Sequence, residues 1–203
     1  MATTTWNPDA VAVVCIECQN GVLGVDSVLP SLAADSADLV GNLSRLLNAA
    51  RDFGARVVHA TYEGALGGTP TGTARLWRTL APATAGWTPG SSATKVLPEL
   101  SAPTDLVLPR HHGLFPTLDS ELLPVLRGLG VTTIVLAGVS LNLAITHTAG
   151  HVTQVGFELV VPRDAVSGTP ASYANQVLDN TIAVLGRLVT IDQLIDEWKL
   201  AAP

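Results

Sequence analysis

Several polar side chains stand where apolar, strand-like runs of the sequence end. Glu17 closes a β-branched run that begins at Ala10, and Arg110 closes a run that begins at Asp105. A positioned carboxyl group can give or take a proton during a reaction. Arginine stays protonated at any working pH, so it holds an anion but does not shuttle a proton. Glu17 is therefore a candidate general acid or base and Arg110 a candidate anion-binding residue, while a Glu17 carboxylate paired with Arg110 for structural reasons stays open as the alternative.

Three further polar residues follow strand ends. His111 and His112 extend Arg110 into a short basic run where a substrate carboxylate could dock, although a solvated loop explains the run equally well. Ser140 follows another strand, and no base stands near it in the sequence to activate its hydroxyl. The segment from Ser140 to Ala144 opens a helix, and its backbone N–H groups favour an anion or a carbonyl oxygen.

Cysteine and histidine pairs offer two weaker possibilities. Cys15 lies inside the first predicted strand and Cys18 stands three residues later, so their side chains should point to opposite faces. We expect two unconnected thiols in a reducing cytoplasm. His147 and His151 have a spacing that can bind zinc, but no third ligand is evident, and we expect no metal. The glycines of 64–72 lack the lysine of a phosphate-binding loop.

The elements that must position these residues alternate along the chain. Strands are predicted at 10–17, 56–60, 105–108, 131–137, 157–161 and 188–190, and helices at 37–53, 118–129, 141–155, 171–185 and around Trp198. This alternation predicts an α/β fold: one three-layer, Rossmann-like domain over residues 1–203, with a largely parallel six-stranded sheet and helices on both faces. Residues 61–104, rich in Gly, Pro, Ser and Thr, are expected to be a long functional loop or lid.

Composition excludes some classes of function. The net charge is −6, with 11 basic and 17 acidic side chains and no basic stripe, which argues against nucleic-acid and membrane-surface partners. No apolar run approaches the ~20 residues of a membrane-spanning helix. Charged residues make up only 14% of the chain, so we expect part of the surface to be covered in a homo-oligomer, a dimer or larger.

The strand ends resemble the isochorismatase-like (cysteine hydrolase) superfamily. The resemblance runs from about residue 8 to 192 and rests on the order and spacing of several motifs. These motifs are 13–20 at the end of the first strand, 89–91, 97–100 and 105–108 before the third, Gly-Leu-Phe-Pro-Thr-Leu at 113–118, Gly-Val-Ser-Leu-Asn-Leu-Ala at 138–144, and the pairs 148–149 and 164–165.

The resemblance implies a site whose usual Asp, Lys and Cys are all replaced in this chain. Glu17 stands for the aspartate, and Ala144, without side-chain chemistry, stands for the nucleophile. The lysine position falls on Pro109 or Arg110; we prefer Arg110 because it stands five residues after Asp105. The resemblance also places Gln19, Phe115, Val139 and Ser140 around the substrate.

The function implied is that of a hydrolase-like enzyme of a small, carboxylated molecule, without a cysteine nucleophile and without an organic cofactor. A hydroxyl, thiol or amine is needed for covalent catalysis, and Ala144 offers none. Cys18 is the one thiol that could substitute. Two alternatives stay open: a non-catalytic ligand-binding or structural protein, and an enzyme of specialised metabolism turned to cyclisation or isomerisation.

Overall fold

A computed structural model describes residues 6–66 and 72–201. It shows a three-layer α/β fold in which a twisted sheet separates two layers of helices. The predicted class is confirmed. The sheet has seven strands rather than the expected six, because β6 is a two-residue strand, too short to leave a pattern in the sequence.

Every strand pair in the described sheet is parallel. The main order is β3-β2-β1-β4-β5-β7, and β6 pairs with the end of β4. The strands are β1 Val11–Ile16, β2 Arg56–Tyr62, β3 Leu106–Arg110, β4 Thr133–Val139, β5 Glu158–Pro162, β6 Val166–Ser167 and β7 Arg187–Val189. Because β1 lies between β2 and β4, the strand order reverses there, where parallel sheets bind ligands.

The helices surround this sheet. They are α1 Asn20–Leu23, α2 Pro30–Asp35, α3 Leu39–Phe53, α4 Arg75–Thr84, α5 Leu122–Gly128, α6 Ala144–Gln154, α7 Ala171–Val177, α8 Ala183–Leu185 and α9 Ile191–Ala201, with a π-helical segment Leu178–Ile182 between α7 and α8. The predicted stop of α3 is confirmed: Gly54 adopts a left-handed conformation and its N–H caps the carbonyls of Ala50 and Arg51.

Two predicted elements differ from the structure. The helix expected at 118–129 begins only at Leu122, because Asp119 has a φ of 50°, which no right-handed helix accepts. The segment 61–104 is not a structureless loop: it contains α4 and a 3₁₀ turn, Ser92–Thr94. Its Trp77 and Trp87 are buried against Tyr62, so this segment packs onto β2.

The core lies on both faces of the sheet. All six residues of β1 are buried, as expected for a strand covered on both sides. One face packs against α3 and α9 through residues such as Leu43 and Leu194, and the other packs against α5 and α6 through Leu126 and Ile145. Helices cover both faces of the sheet. The loops that carry the candidate residues lie at the edge where the strands have their carboxyl ends.

No helix in the described ranges has both the length and the apolarity to cross a membrane. The glycine-rich stretch 64–72, for which we expect no phosphate-binding loop, lies largely outside the described residues.

Candidate active site

The end of β1 turns sharply at Glu17. Its backbone N–H donates to the carbonyl of Ala60 on β2 at 2.9 Å, which fixes the residue to the sheet. Glu17 then takes a φ of 54°, in the left-handed region that non-glycine residues seldom occupy. Such outliers persist where the surrounding structure enforces them, and they concentrate at functional sites. The turn directs the Glu17 side chain toward the carboxyl edge of the sheet.

Arg110 ends β3 and reaches Glu17 across β2. Its Nη2 donates to Oε1 of Glu17, which joins the two candidate catalytic residues in an ion pair. The guanidinium lies over the Tyr62 ring, 5.4 Å from the ring centre, which is within the range of a cation–π contact. Pro109, the alternative for the lysine position, is exposed on the edge strand. Arg110 is therefore the residue whose side chain reaches Glu17.

The two partners differ in exposure. The side chain of Arg110 is 3% exposed and that of Glu17 is 17% exposed. The Nε of Arg110 donates to the carbonyl of Gly113 at 3.4 Å, and Nη1 is buried without a hydrogen-bond partner among the described residues. The guanidinium thus lies behind the carboxylate, and Glu17 is the member of the pair that faces solvent.

The two cysteines lie together, contrary to the expected separation. The positive φ of Glu17 returns Cys18 to the face that Cys15 occupies, and both thiols belong to the same core cluster. Contact with the Cys15 thiol, burial and the nearby Glu17 carboxylate raise the pKa of Cys18 well above its ordinary value. A thiolate is the nucleophilic form of cysteine, so this site disfavours nucleophilic chemistry at Cys18.

Gly138 allows the end of β1 to lie close to β4. A Cβ on Gly138 would lie 2.7 Å from the backbone nitrogen of Ile16 and 2.9 Å from Sγ of Cys18, and its φ is 102°. Only glycine fits this close approach. Because Ile16 pairs with Gly138 in register, the turn at Glu17 lies alongside the end of β4.

The residues after Gly138 end β4 and lead into α6. Val139 is buried, Ser140 is half-buried, and the peptide bond between them is cis. The carbonyl of Ser140 accepts from the N–H of Ile145 at 3.1 Å, and Ala144 is the first residue of the helix. The structure thus brings Val139, Ser140 and Ala144 to the same edge as Glu17.

Gln19 is buried and its amide is bound to backbone groups. Nε2 donates to the carbonyls of Tyr62 at 2.8 Å and Ala93 at 3.1 Å, and Oε1 accepts from the N–H of Tyr62 at 2.8 Å. Gln19 therefore ties the end of β1 to the end of β2 and to the 3₁₀ turn. The sequence could not show this, because the partners are backbone atoms far along the chain.

His111 and His112 each use one ring nitrogen on the backbone. Nδ1 of His111 lies 3.1 Å from the carbonyl of Gly64, and Nε2 of His112 lies 2.7 Å from the carbonyl of Asp119. Because a carbonyl only accepts, these nitrogens carry the hydrogen. The two side chains anchor the loop that follows β3.

Phe115 packs against His147 of α6. Its ring centre lies 4.0 Å from that of His147, and both residues line a shallow pocket with Leu118 and His151. Burial lowers the pKa of His147. Nδ1 of His151 lies 2.8 Å from the Thr117 hydroxyl. Within the described ranges, no group of three or more His, Cys, Asp or Glu side chains is arranged to hold a metal.

Sequence reasoning missed a buried charged cluster below the site. Oδ2 of Asp105 lies 3.1 Å from Nε2 of His59, and Asp105 accepts two hydrogen bonds from Arg51, at 2.7 and 3.1 Å. Burial lowers the pKa of His59, while the hydrogen bonds from Arg51 and His59 outweigh burial and lower that of Asp105. The cluster joins β2, the start of β3 and α3.

Comparisons with known proteins identify the family of the chain. A family model described as Isochorismatase domain matches residues 11–193. A curated relative, an uncharacterised isochorismatase family protein YecD of Escherichia coli O157:H7, is 31% identical over 90 residues. That alignment covers 44% of this chain and 47% of the relative, so the match spans about half the length of that protein.

Solved structures share the fold over nearly the whole chain. A cysteine hydrolase from Pseudomonas syringae pv. phaseolicola 1448A superposes with a TM-score of 0.81 and 19% identity, covering 98% of this chain and 97% of the other. An N-carbamoylsarcosine amidase from Thermoplasma acidophilum gives 0.72 and 20%, covering 90% and 96%. At these identities the likeness establishes the fold.

Proposed function

Because the chain belongs to the isochorismatase family, we propose that it is a hydrolase-like enzyme of a small molecule, with Glu17 as the group that moves a proton and no cysteine nucleophile. The observation that carries this proposal is the ion pair between Glu17 and Arg110 at the carboxyl edge of the sheet, where parallel sheets bind ligands. A left-handed, non-glycine backbone such as that of Glu17 is a second feature that concentrates at functional sites.

The ion pair favours one of the two proton-transfer roles. A guanidinium beside a carboxylate stabilises the charged form of the carboxylate. An ionised Glu17 accepts a proton, from a bound water or from the substrate, and is not ready to donate one. We therefore assign Glu17 as a general base and Arg110 as the positioning residue that holds it. General acid–base catalysis by one such group contributes roughly 10²–10⁴-fold.

The absence of covalent catalysis rests on two positions. Ala144, in the place that corresponds to the family nucleophile, has no group to attack a carbonyl carbon. Cys18 is buried, and its raised pKa keeps it as the thiol. In this proposal the water activated by Glu17 attacks directly, and the enzyme forms no acyl intermediate.

The other predicted site residues would assist the attack of water on the substrate. Backbone N–H groups at the start of α6, around Ser140 and Ala144, would stabilise the oxygen on which negative charge develops. Val139 and Phe115 would bound the substrate, and His111 and His112 would hold the adjoining loop. Gln19 would keep the end of β1 in place, since its amide is fully engaged with the backbone.

A panel screen tests this proposal. Small amides, ureas, esters and enol ethers are incubated with the wild type, with Glu17→Gln and with Glu99→Gln, an exposed carboxyl that serves as control. We expect product from at least one compound, a loss of at least about 100-fold in kcat for Glu17→Gln, and no loss for the control. A stable adduct on Cys18 or Ser140 by intact mass, or unchanged turnover in Glu17→Gln, would contradict it.

One observation favours a second candidate, a ligand-binding protein without catalysis. The charges of Glu17 and Arg110 neutralise each other, and Ala144 removes the side chain that the family uses as nucleophile. In that case ligands from the panel bind and none is converted, by either the wild type or the variants.

A further inference from the structure

We infer that the group a ligand presents to Glu17 is a positively charged nitrogen, such as an ammonium or amidinium, and not a carboxylate. The inference rests on the proposed function for the place of the site, and it adds the chemical class that the site takes. It replaces the carboxylated substrate expected from the sequence, which required an arginine that faces the ligand.

Arg110 is poorly placed to receive an anion. Nη2 already donates to Glu17, Nε donates to Gly113, and Nη1 is fully buried. Only 3% of the side chain is exposed, so a carboxylate approaching from solvent would meet Glu17 before it could reach the guanidinium. Two carboxylates brought together repel each other, which opposes binding of an anion at this place.

Glu17 is the more exposed member of its ion pair, and a second acidic residue follows the neighbouring strand at the same edge. Glu63 directly follows β2, its N–H donates to the carbonyl of Arg110 at 3.0 Å, and the residue is half-buried at the same edge. The thiol of Cys18, the next residue in the chain, stays neutral because its pKa is raised.

The neighbouring histidines do not favour an anion at this place. His111 and His112 each donate one ring N–H to a backbone carbonyl, so these donors are engaged within the loop and are not offered to an anion at Glu17. The chain as a whole carries −6, so the long-range field attracts cations as well. A protonated nitrogen facing Glu17 would gain a charge-assisted hydrogen bond without displacing Arg110 from its partner.

Three matched probes separate the classes of ligand. Benzamidine, benzamide and benzoate share one ring and differ in the charge of the attached group. Their binding to the full chain is measured by ligand-observed NMR and calorimetry at pH 7. We expect benzamidine to bind at least about tenfold more tightly than benzoate, with benzamide between them, and the preference to shrink as salt rises.

Substitutions of Glu17 and Glu63 test whether their carboxyl groups cause the preference for benzamidine. Glu17→Gln should weaken benzamidine binding by about tenfold or more, and Glu63→Gln by about two- to fivefold, while the exposed control Glu99→Gln leaves it unchanged. Equal or tighter binding of benzoate, no binding of any probe at 10 mM, or a preference that survives Glu17→Gln would overturn the inference.

The outcomes also separate this inference from the proposed function. Tight benzamidine binding that depends on Glu17, with no turnover in the panel screen, retains the inference and removes the hydrolase. Turnover that is lost in Glu17→Gln, with a preference for benzoate, retains the hydrolase and removes the inference.

Discussion

Glu17 and Arg110 share one hydrogen bond, yet the carboxylate is 17% exposed and the guanidinium only 3%. The buried guanidinium of Arg110 therefore needs its partner more than the Glu17 carboxylate does. Arginine cannot release its proton to escape the cost of burial, whereas an unpaired carboxylate can turn to solvent or take up a proton.

This asymmetry predicts unequal costs for two matched substitutions. Glu17→Met leaves a buried guanidinium without a counter-charge, and we expect it to lower the free energy of unfolding by about 2–4 kcal/mol. Arg110→Met leaves the more exposed carboxylate, and we expect a smaller loss, about 1–2 kcal/mol. Urea unfolding at pH 7 measures both. A larger loss for Arg110→Met would show that Glu17 depends on the cation instead.

Gly138 is predicted to be the least replaceable glycine of the site. In Gly138→Ala the new Cβ would collide with the backbone of Ile16, and the positive φ adds strain, so we expect a loss of at least about 2 kcal/mol. Gly41→Ala, in the exposed interior of α3 with no atom within 4 Å of the new Cβ, is the control and should stabilise by about 0.5–1 kcal/mol. Thermal unfolding of both variants tests the pair, and equal melting temperatures would contradict it.

Neither thiol should react in the folded protein. Cys15 and Cys18 are 1% and 2% exposed, and the pKa of Cys18 is raised. At pH 8 we expect no labelling by iodoacetamide within an hour, and two labelled thiols after unfolding in guanidinium. Rapid native labelling of Cys18 would restore it as a candidate nucleophile.

Acid should weaken the fold through His59 and Asp105. The folded-state pKa of His59 is lowered, so the unfolded chain binds the proton more readily and stability falls as pH drops through the ordinary histidine range near 6.5. The lowered pKa of Asp105 contributes stability above the ordinary aspartate range, which is lost only at lower pH.

Between pH 7.5 and 5.5, the wild type should lose about 1 kcal/mol more than His59→Gln, which keeps a donor toward Asp105 but does not titrate. Urea unfolding at the two pH values measures this difference. Identical pH dependence in the two proteins would show that burial does not hold His59 neutral.

The sequence predicted the alternation of elements and the edge of the sheet at which Glu17 and Arg110 meet. Strand ends can be read from apolar runs, and the resemblance placed Glu17 and Arg110 at one edge. The contact between thiols was missed because strand periodicity was carried past Ile16, and the left-handed turn at Glu17 breaks that periodicity. The role of Gln19 depends on backbone partners far along the chain, which a sequence pattern does not show. The position of Arg110 behind Glu17 depends on the relative exposure of the two side chains, which a sequence pattern does not show either.

The central claim is that Glu17 acts as a general base held by Arg110, and the pH dependence of kcat/KM tests it most directly. With the first substrate found in the panel screen, we expect activity that is flat toward high pH and falls in acid, which is the profile of a single essential base. Activity that rises in acid and falls as pH increases would identify Glu17 as a general acid and contradict the account.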